Sequence, residues 1–310
     1  MTTSKFRLVT RSDFDGLAAA VLLRELDMID EICFVHPKDM QDGKIKITSN
    51  DITTNLPYVE GVHLCFDHHL SEANRVAPRD NHIIIPDAPS AARVVYEHFG
   101  GDERFSDIRN GLMEAVDQAD SAQYDEADIL APSGWTLLNF IMDPRTGLGR
   151  FRTFTISNYQ LMMDLVLYCR HHSIEEILAL PDVEERVQLY LEHAEKFEHQ
   201  LRRVASMHDN RLVELDLRNE DIIYAGNRFM VYALYPEATM SMHVLWGLGR
   251  SKTVFALGKS ILNRSAAVDI SALTLSYGGG GHEAAGTCQI ENDQADTVRS
   301  ELIGKILEDA

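Results

Sequence analysis

Short apolar runs alternate with stretches of helical apolar spacing through the first 125 residues. Residues 8–10, 32–35, 45–47, 62–66 and 83–85 read as strands, and residues 17–26 as a helix. A second helix, over 91–99, is opened by Pro89-Ser90 and closed by Gly100-Gly101. Strands separated by crossover helices predict a parallel sheet, so the fold class is α/β. In such sheets ligands gather at the carboxyl ends of the strands.

Between 135 and 170 the pattern turns helical and apolar, and from 174 to about 207 it becomes a charged amphipathic connector. After Arg211 short strands are expected at 212–215, 222–224, 229–232 and 253–256, then a helix over 270–277. The resulting division is a parallel-sheet domain at 1–180, a helical linker at 181–210 and a smaller α/β domain at 211–310. A chain of 310 residues suits two domains of ordinary size.

Composition narrows the class. With 45% hydrophobic and 25% charged residues the chain reads as globular, and no apolar run approaches the ~20 residues of a membrane span. No secretory signal is evident at the N-terminus, so a cytoplasmic location and no membrane partner are expected. Cys33, Cys65, Cys169 and Cys288 form no CxxC pair and read as reduced, mostly buried thiols. A net charge of -19 disfavours long nucleic acid, which is held by bases neutralising phosphates, but permits a short anion whose charge is offset locally.

Four ligand-bearing clusters then stand out: Asp13-Phe14-Asp15-Gly16, Asp51, Asp67-His68-His69, and Asp120 with Asp117 three residues earlier. A DxDG alone is as well explained by a helix cap. Asp67-His68-His69 follows the apolar run at 62–66, and three ligand types in a row are not easily explained by packing. Carboxylates and imidazoles from several strand ends are what a two-metal hydrolase needs, its ions being about 3.5–4 Å apart. Tyr277-Gly278-Gly279-Gly280-Gly281-His282 reads either as a backbone anion cradle leading into a helix or as an ordinary turn. His171-His172 is assigned to helix termination rather than to metal.

These motifs resemble the DHH phosphoesterase superfamily, in the branch that adds a DHH-associated domain ending in GGGH. Its motifs are similar to Asp13-Phe14-Asp15-Gly16, to the lone acid Asp51, to Asp67-His68-His69 and to Asp120-Ser121-Ala122-Gln123-Tyr124. Asn263-Arg264-Ser265, Val268-Asp269-Ile270 and Gly279-Gly280-Gly281-His282-Glu283-Ala284-Ala285-Gly286 resemble the signature of the second domain, so the likeness spans the chain. It implies two divalent ions, Mn²⁺ first and Mg²⁺ or Co²⁺ also compatible, held by Asp13, Asp15, Asp51, His68 and Asp120. His69 would donate to a phosphoryl oxygen or act as a general acid, the alternative being that it orients Asp67 or His68, and Asp67, counted with His69 as catalytic, would stand mainly behind the metal ligands. Arg264, Ser265, Gly279, Gly280, Gly281 and His282 would bind substrate, in a cleft between the domains.

The sequence departs from the family where many relatives carry a histidine before the first aspartate, at positions held here by Val9 and Arg11. Either water or Asp117 would replace it, and Arg11 would contact a phosphate or pair with a nearby acid. Ser90-Ala91-Ala92 and Arg145 are weaker phosphate candidates, better read as a helix cap and a surface turn. The resemblance implies hydrolysis of a very short RNA or linear dinucleotide such as pGpG to mononucleotides, by a monomer or homodimer. The alternatives are a phosphoanhydride hydrolase of the exopolyphosphatase type and a noncatalytic nucleotide sensor.

Overall fold

The strand expected at residues 8–10 is β1, Phe6–Thr10, in a computed structural model that describes residues 5–106, 108 and 111–308. Leu8, Val9 and Thr10 are buried, as suits an inner strand of a sheet covered on both faces. Around it lie β2 (Ile29–Phe34), β3 (Asp51–Thr54), β4 (Leu64–Asp67) and β5 (His82–Ile84). All pairings are parallel, in the order β2-β1-β3-β4-β5. The chain runs from β1 to β2 on one side and then to β3 on the other, which puts the topological switch point at the carboxyl ends of β1 and β3.

The crossover after β1 is helix α1, Phe14–Glu25. Its residues from Phe14 to Leu23 are all buried, so it is apolar all round rather than amphipathic. The short helices α2 (Pro37–Gln41) and α3 (Leu70–Arg75) follow β2 and β4, and α4 (Ala91–His98) follows β5 with Ser90 as its N-cap. Next come α5 (Gly101–Arg104) and α6 (Leu112–Asp120). Helix α1 packs against both α4 and α6, which brings the first turn of α1 and the first turn of α4 together.

The remaining helices are α7 (Glu126–Leu130), α8 (Gly134–Met142), α9 (Asn158–Tyr168), α10 (Ile174–Leu178) and the long α11 (Pro181–Val204). The chain divides into two units: the described residues of Met1–Gln123, Ser133–Pro144 and Gly149–Gln188, and those of Tyr124–Pro132, Arg145–Leu148 and Leu189–Ala310. In the second unit β6 (Ala205–His208), β7 (Leu212–Asp216), β8 (Met240–Trp246), β9 (Lys252–Lys259), β10 (Gly280–His282) and β11 (Ala285–Glu291) form one mixed sheet, ordered β10-β11-β9-β8-β7-β6. Its core packs Met242, Val244, Phe255 and Leu257 against α13 (Ile270–Leu275) and α14 (Ala295–Glu308). Helix α12 is Met230–Leu234.

Three expected strands are not found. Residues 45–47 are irregular, and the strand that follows β2 is instead Asp51–Thr54, whose run Ile52-Thr53-Thr54 is β-branched throughout. Residues 222–224 are irregular as well, and 229–232 overlap α12. No helix among the described residues is long and apolar enough to cross a membrane. All four cysteines are free, with Cys65, Cys169 and Cys288 buried.

Candidate metal centre

Asp15 stands in the first turn of α1 and is 2% exposed. Its Oδ1 accepts a hydrogen bond from the Ala92 amide at 2.7 Å and its Oδ2 one from the Ala91 amide at 3.2 Å. Both donors are at the start of α4, where unpaired amides and the helix dipole favour an anion. Ser90 fixes that start, its Oγ accepting from the Arg93 amide at 3.0 Å.

His68 follows β4. Its Nδ1 lies 2.9 Å from the Ala88 carbonyl, which can only accept, so Nδ1 carries a proton and Nε2 is the nitrogen that could coordinate a metal on losing its own. Nε2 lies 3.1 Å from Asp120 Oδ2, at the end of α6. Ligand atoms of Asp15, His68 and Asp120 all fall within 4.8 Å of one another. Three segments remote in sequence therefore converge at the carboxyl edge of the parallel sheet.

The charges there are under strain. Burial first, then the charges of Asp120 and Asp13, push the Asp15 carboxyl well above the usual carboxylate range. Burial works to lower His68, but its hydrogen bond to Asp120 and the charges of Asp120 and Asp15 outweigh it and raise the imidazole to about 9. An imidazolium thus balances carboxylates that a divalent cation would balance better. Two carboxylates and an imidazole also suit first-row divalent ions chemically.

Asp67 ends β4 and is fully buried. Its Oδ1 accepts from His69 Nδ1 at 2.7 Å and from the His68 amide at 2.8 Å. Asp67 thus holds the His69 ring through its Nδ1. The other oxygen, Oδ2, is buried without a hydrogen-bond partner among the described residues, an arrangement that costs free energy unless something charged meets it. Oδ2 of Asp67 therefore also fits a cation.

Asp13 is close by but otherwise engaged: it caps α1, Oδ1 accepting from the Gly16 amide at 3.0 Å, and its Oδ2 lies 3.0 Å from Arg11 Nε. A Cβ on Gly16 would meet the Arg11 carbonyl at 2.0 Å, which is why this turn requires glycine. Arg11 thus takes the acid-pairing alternative. His69 is partly exposed.

Two expected ligands are displaced. Asp51 begins β3 instead of ending a strand, and in register it sits beside Arg7 near the amino end of β1. Its carboxylate is consumed by Arg7 Nε at 2.7 Å and by the Thr48 amide at 2.6 Å. It is at the edge of the sheet away from His68. Asp117 does lie on the same helix as Asp120, but its Oδ1 accepts from Ser90 Oγ at 2.8 Å and its Oδ2 from Arg93 Nη2 at 2.6 Å. It braces the start of α4, and through it the amides that hold Asp15.

In the second unit Arg264 and Ser265 occupy the loop between β9 and α13, where Arg264 Nε donates to the Ile261 carbonyl at 3.0 Å. Gly280, Gly281 and His282 form the edge strand β10, so the expected helix does not follow the glycines. A Cβ on Gly279 or Gly281 would lie 2.1 Å from the Thr287 carbonyl or 2.3 Å from the Ala285 carbonyl. Those two glycines are demanded by the closeness of β11. Arg145 lies in a short 3-10 turn. The Ala91 and Ala92 amides, expected only as weak phosphate candidates, hold Asp15 instead, and the Ala88 carbonyl was not foreseen, since backbone groups leave no residue-type signal.

No protein-family model matches the chain, and no curated protein sequence matches it. Solved structures do. The chain is similar to the pGpG-specific phosphodiesterase PggH from Vibrio cholerae, with 56% identity, a TM-score of 0.87, and 99% of this chain and 100% of that one covered. RecJ from Thermus thermophilus, solved in complex with Mn²⁺, is 14% identical with a TM-score of 0.59, over 98% of this chain and 52% of that one. The second likeness is one of fold.

Proposed function

The chain belongs to the DHH phosphoesterase superfamily, and from that premise we propose that it is a phosphodiesterase that hydrolyses the linear dinucleotide pGpG to mononucleotides with divalent cations, two Mn²⁺ ions by preference. One observation carries the reading: Asp15, His68 and Asp120 converge in a chain 56% identical, end to end, to a pGpG-specific phosphodiesterase.

Asp15, His68 and Asp120 would hold the cations, with Asp67 Oδ2 and, on release from Arg11, Asp13 completing the set. Cations there would supply Lewis acidity, which lowers the pKa of a water to near neutral and offsets charge on the phosphoryl oxygens. The water oxygen attacks phosphorus, the bond from phosphorus to the 3′ oxygen breaks, and that oxygen leaves with a proton. His69 donates this proton from Nε2 while Asp67 keeps the ring aligned through Nδ1, a general-acid contribution of about 10²–10⁴-fold. Asp15 stays in place because two helix amides grip it. Arg264, Ser265, Gly279, Gly280, Gly281 and His282 would bind the nucleotide's other end, and Arg11 a phosphate once free of Asp13.

The net charge of -19 disfavours long RNA and permits a dinucleotide whose charge is offset locally by the cations, and a cytoplasmic location is part of the proposal. The test is to incubate purified protein and Mn²⁺ with pGpG, a longer RNA, a cyclic dinucleotide and polyphosphate in parallel, with D67A/H68A as control. Release of GMP from pGpG alone supports the proposal. Phosphate from polyphosphate, or binding without turnover, refutes it.

A further inference from the structure

Asn55 follows directly on β3, the strand between the two that carry Asp13-Phe14-Asp15 and Asp67-His68 at their carboxyl ends. It is 1% exposed. Its backbone is left-handed, with φ 55°, a conformation asparagine tolerates better than most residues. Its amide donates to the Phe66 carbonyl at 3.1 Å, which ties it to β4 one residue before Asp67. The anchoring is thus backbone to backbone and does not use the side chain.

Neither Oδ1 nor Nδ2 of that side chain has a hydrogen-bond partner among the described residues. A primary amide buried with both ends unpaired is costly, and an apolar side chain of similar size would avoid the cost. On the neighbouring strand, Asp67 Oδ2 is buried and equally unpaired. Two unsatisfied oxygens at adjacent strand ends, at the same edge of the sheet as Asp15 and His68, have one economical explanation.

We propose that Asn55 is a metal-centre residue, its Oδ1 giving a neutral oxygen ligand to a divalent cation that Asp67 Oδ2 also meets. This rests on the reading that the Asp15, His68 and Asp120 cluster holds such cations. Amide carbonyl oxygen is a hard donor suited to Mg²⁺ and Mn²⁺. Being neutral, it adds a ligand without adding another charge to Asp13, Asp15, Asp67 and Asp120. The neutral ligand leaves the cation less saturated with negative charge, and so a stronger Lewis acid toward phosphate.

The test uses Asn55→Gly, which removes the side chain while keeping the left-handed backbone free of strain, and Asn55→Asp, which restores a carboxylate of the same shape. Chelator-stripped wild type and variants are titrated with Mn²⁺ in a calorimeter, and thermal unfolding is followed with and without the ion. Asn55→Gly is expected to weaken Mn²⁺ binding by roughly tenfold or more without lowering the metal-free melting temperature. Asn55→Asp is expected to bind Mn²⁺ more tightly than wild type, and to unfold earlier without the ion but not with it. Wild-type affinity in both variants, or an Asn55→Asp protein that is destabilised equally with and without Mn²⁺, overturns the proposal alone. A wild-type protein that binds no Mn²⁺ overturns it together with the activity on which it rests.

Discussion

Nε2 of His68 lies 3.1 Å from Oδ2 of Asp120, joining the end of a β-strand to the end of a helix across the carboxyl edge of the parallel sheet. The pair is an ion pair only while the ring is protonated. A cation that takes Nε2 and Oδ2 as ligands must displace that proton, so metal binding and protonation compete.

The competition fixes a pH dependence. Folding raises His68 from 6.5 to about 9: burial works to lower it, but the bond to Asp120 and the charges of Asp120 and Asp15 together outweigh burial. A group raised in the fold stabilises it fully below its unfolded pKa, and the gain disappears as pH climbs through the folded pKa. The metal-free protein should therefore lose stability between about pH 6.5 and pH 9, while apparent Mn²⁺ affinity rises over the same window. Calorimetry in two buffers of different ionisation enthalpy should detect proton release on Mn²⁺ binding; heats independent of buffer would exclude the competition.

His69 is held by Asp67 at 2.7 Å and sits outside the three-ligand cluster. Replacing it with glutamine should lower kcat by about 10²–10⁴-fold and leave Mn²⁺ affinity near wild type. Loss of metal binding in that variant would make His69 a ligand instead.

Asp117 accepts from Ser90 and Arg93, and so acts on Asp15 only through the start of α4. Asp117→Asn should cost about 1–3 kcal/mol of stability by weakening charged hydrogen bonds that are partly buried. Its Mn²⁺ affinity should fall by less than about tenfold, within the range for residues that orient ligands. A fall as deep as that of Asp15→Asn would show direct ligation.

Asp51 is paired with Arg7 at the amino edge of β3. Asp51→Asn should lower the melting temperature, since it removes the charge of a buried carboxylate paired with arginine, while Mn²⁺ titration gives the wild-type constant. Impaired metal binding at unchanged stability would return Asp51 to the centre.

The α/β class and the meeting of Asp15 with His68 were legible because Asp13-Phe14-Asp15-Gly16 and Asp67-His68-His69 directly follow apolar strands, at the carboxyl edge of the sheet. Asp51 was misplaced by a strand assigned six residues too early. Ile45 and Ile47 resemble a strand, but the β-branched Ile52-Thr53-Thr54 forms β3, and this moves the strand end from Asp51 to Asn55. Asp117 has the helical spacing needed to join Asp120, but spacing says nothing of Arg93, which comes from another helix and claims it first. The glycine run misled as to the element that follows it: a helix was expected and the strand β10 is found, because freedom from side chains also serves close pairing with β11, where Gly281 is in register with Gly286.

The most direct measurement is the rate of GMP formation from pGpG with Mn²⁺, for wild type and His68→Ala side by side. The account predicts two GMP per pGpG for wild type, and a rate for His68→Ala lower by at least about 10²-fold, as expected when a ligand of a catalytic ion is removed. No GMP from wild type, or equal rates from the two proteins, would contradict it.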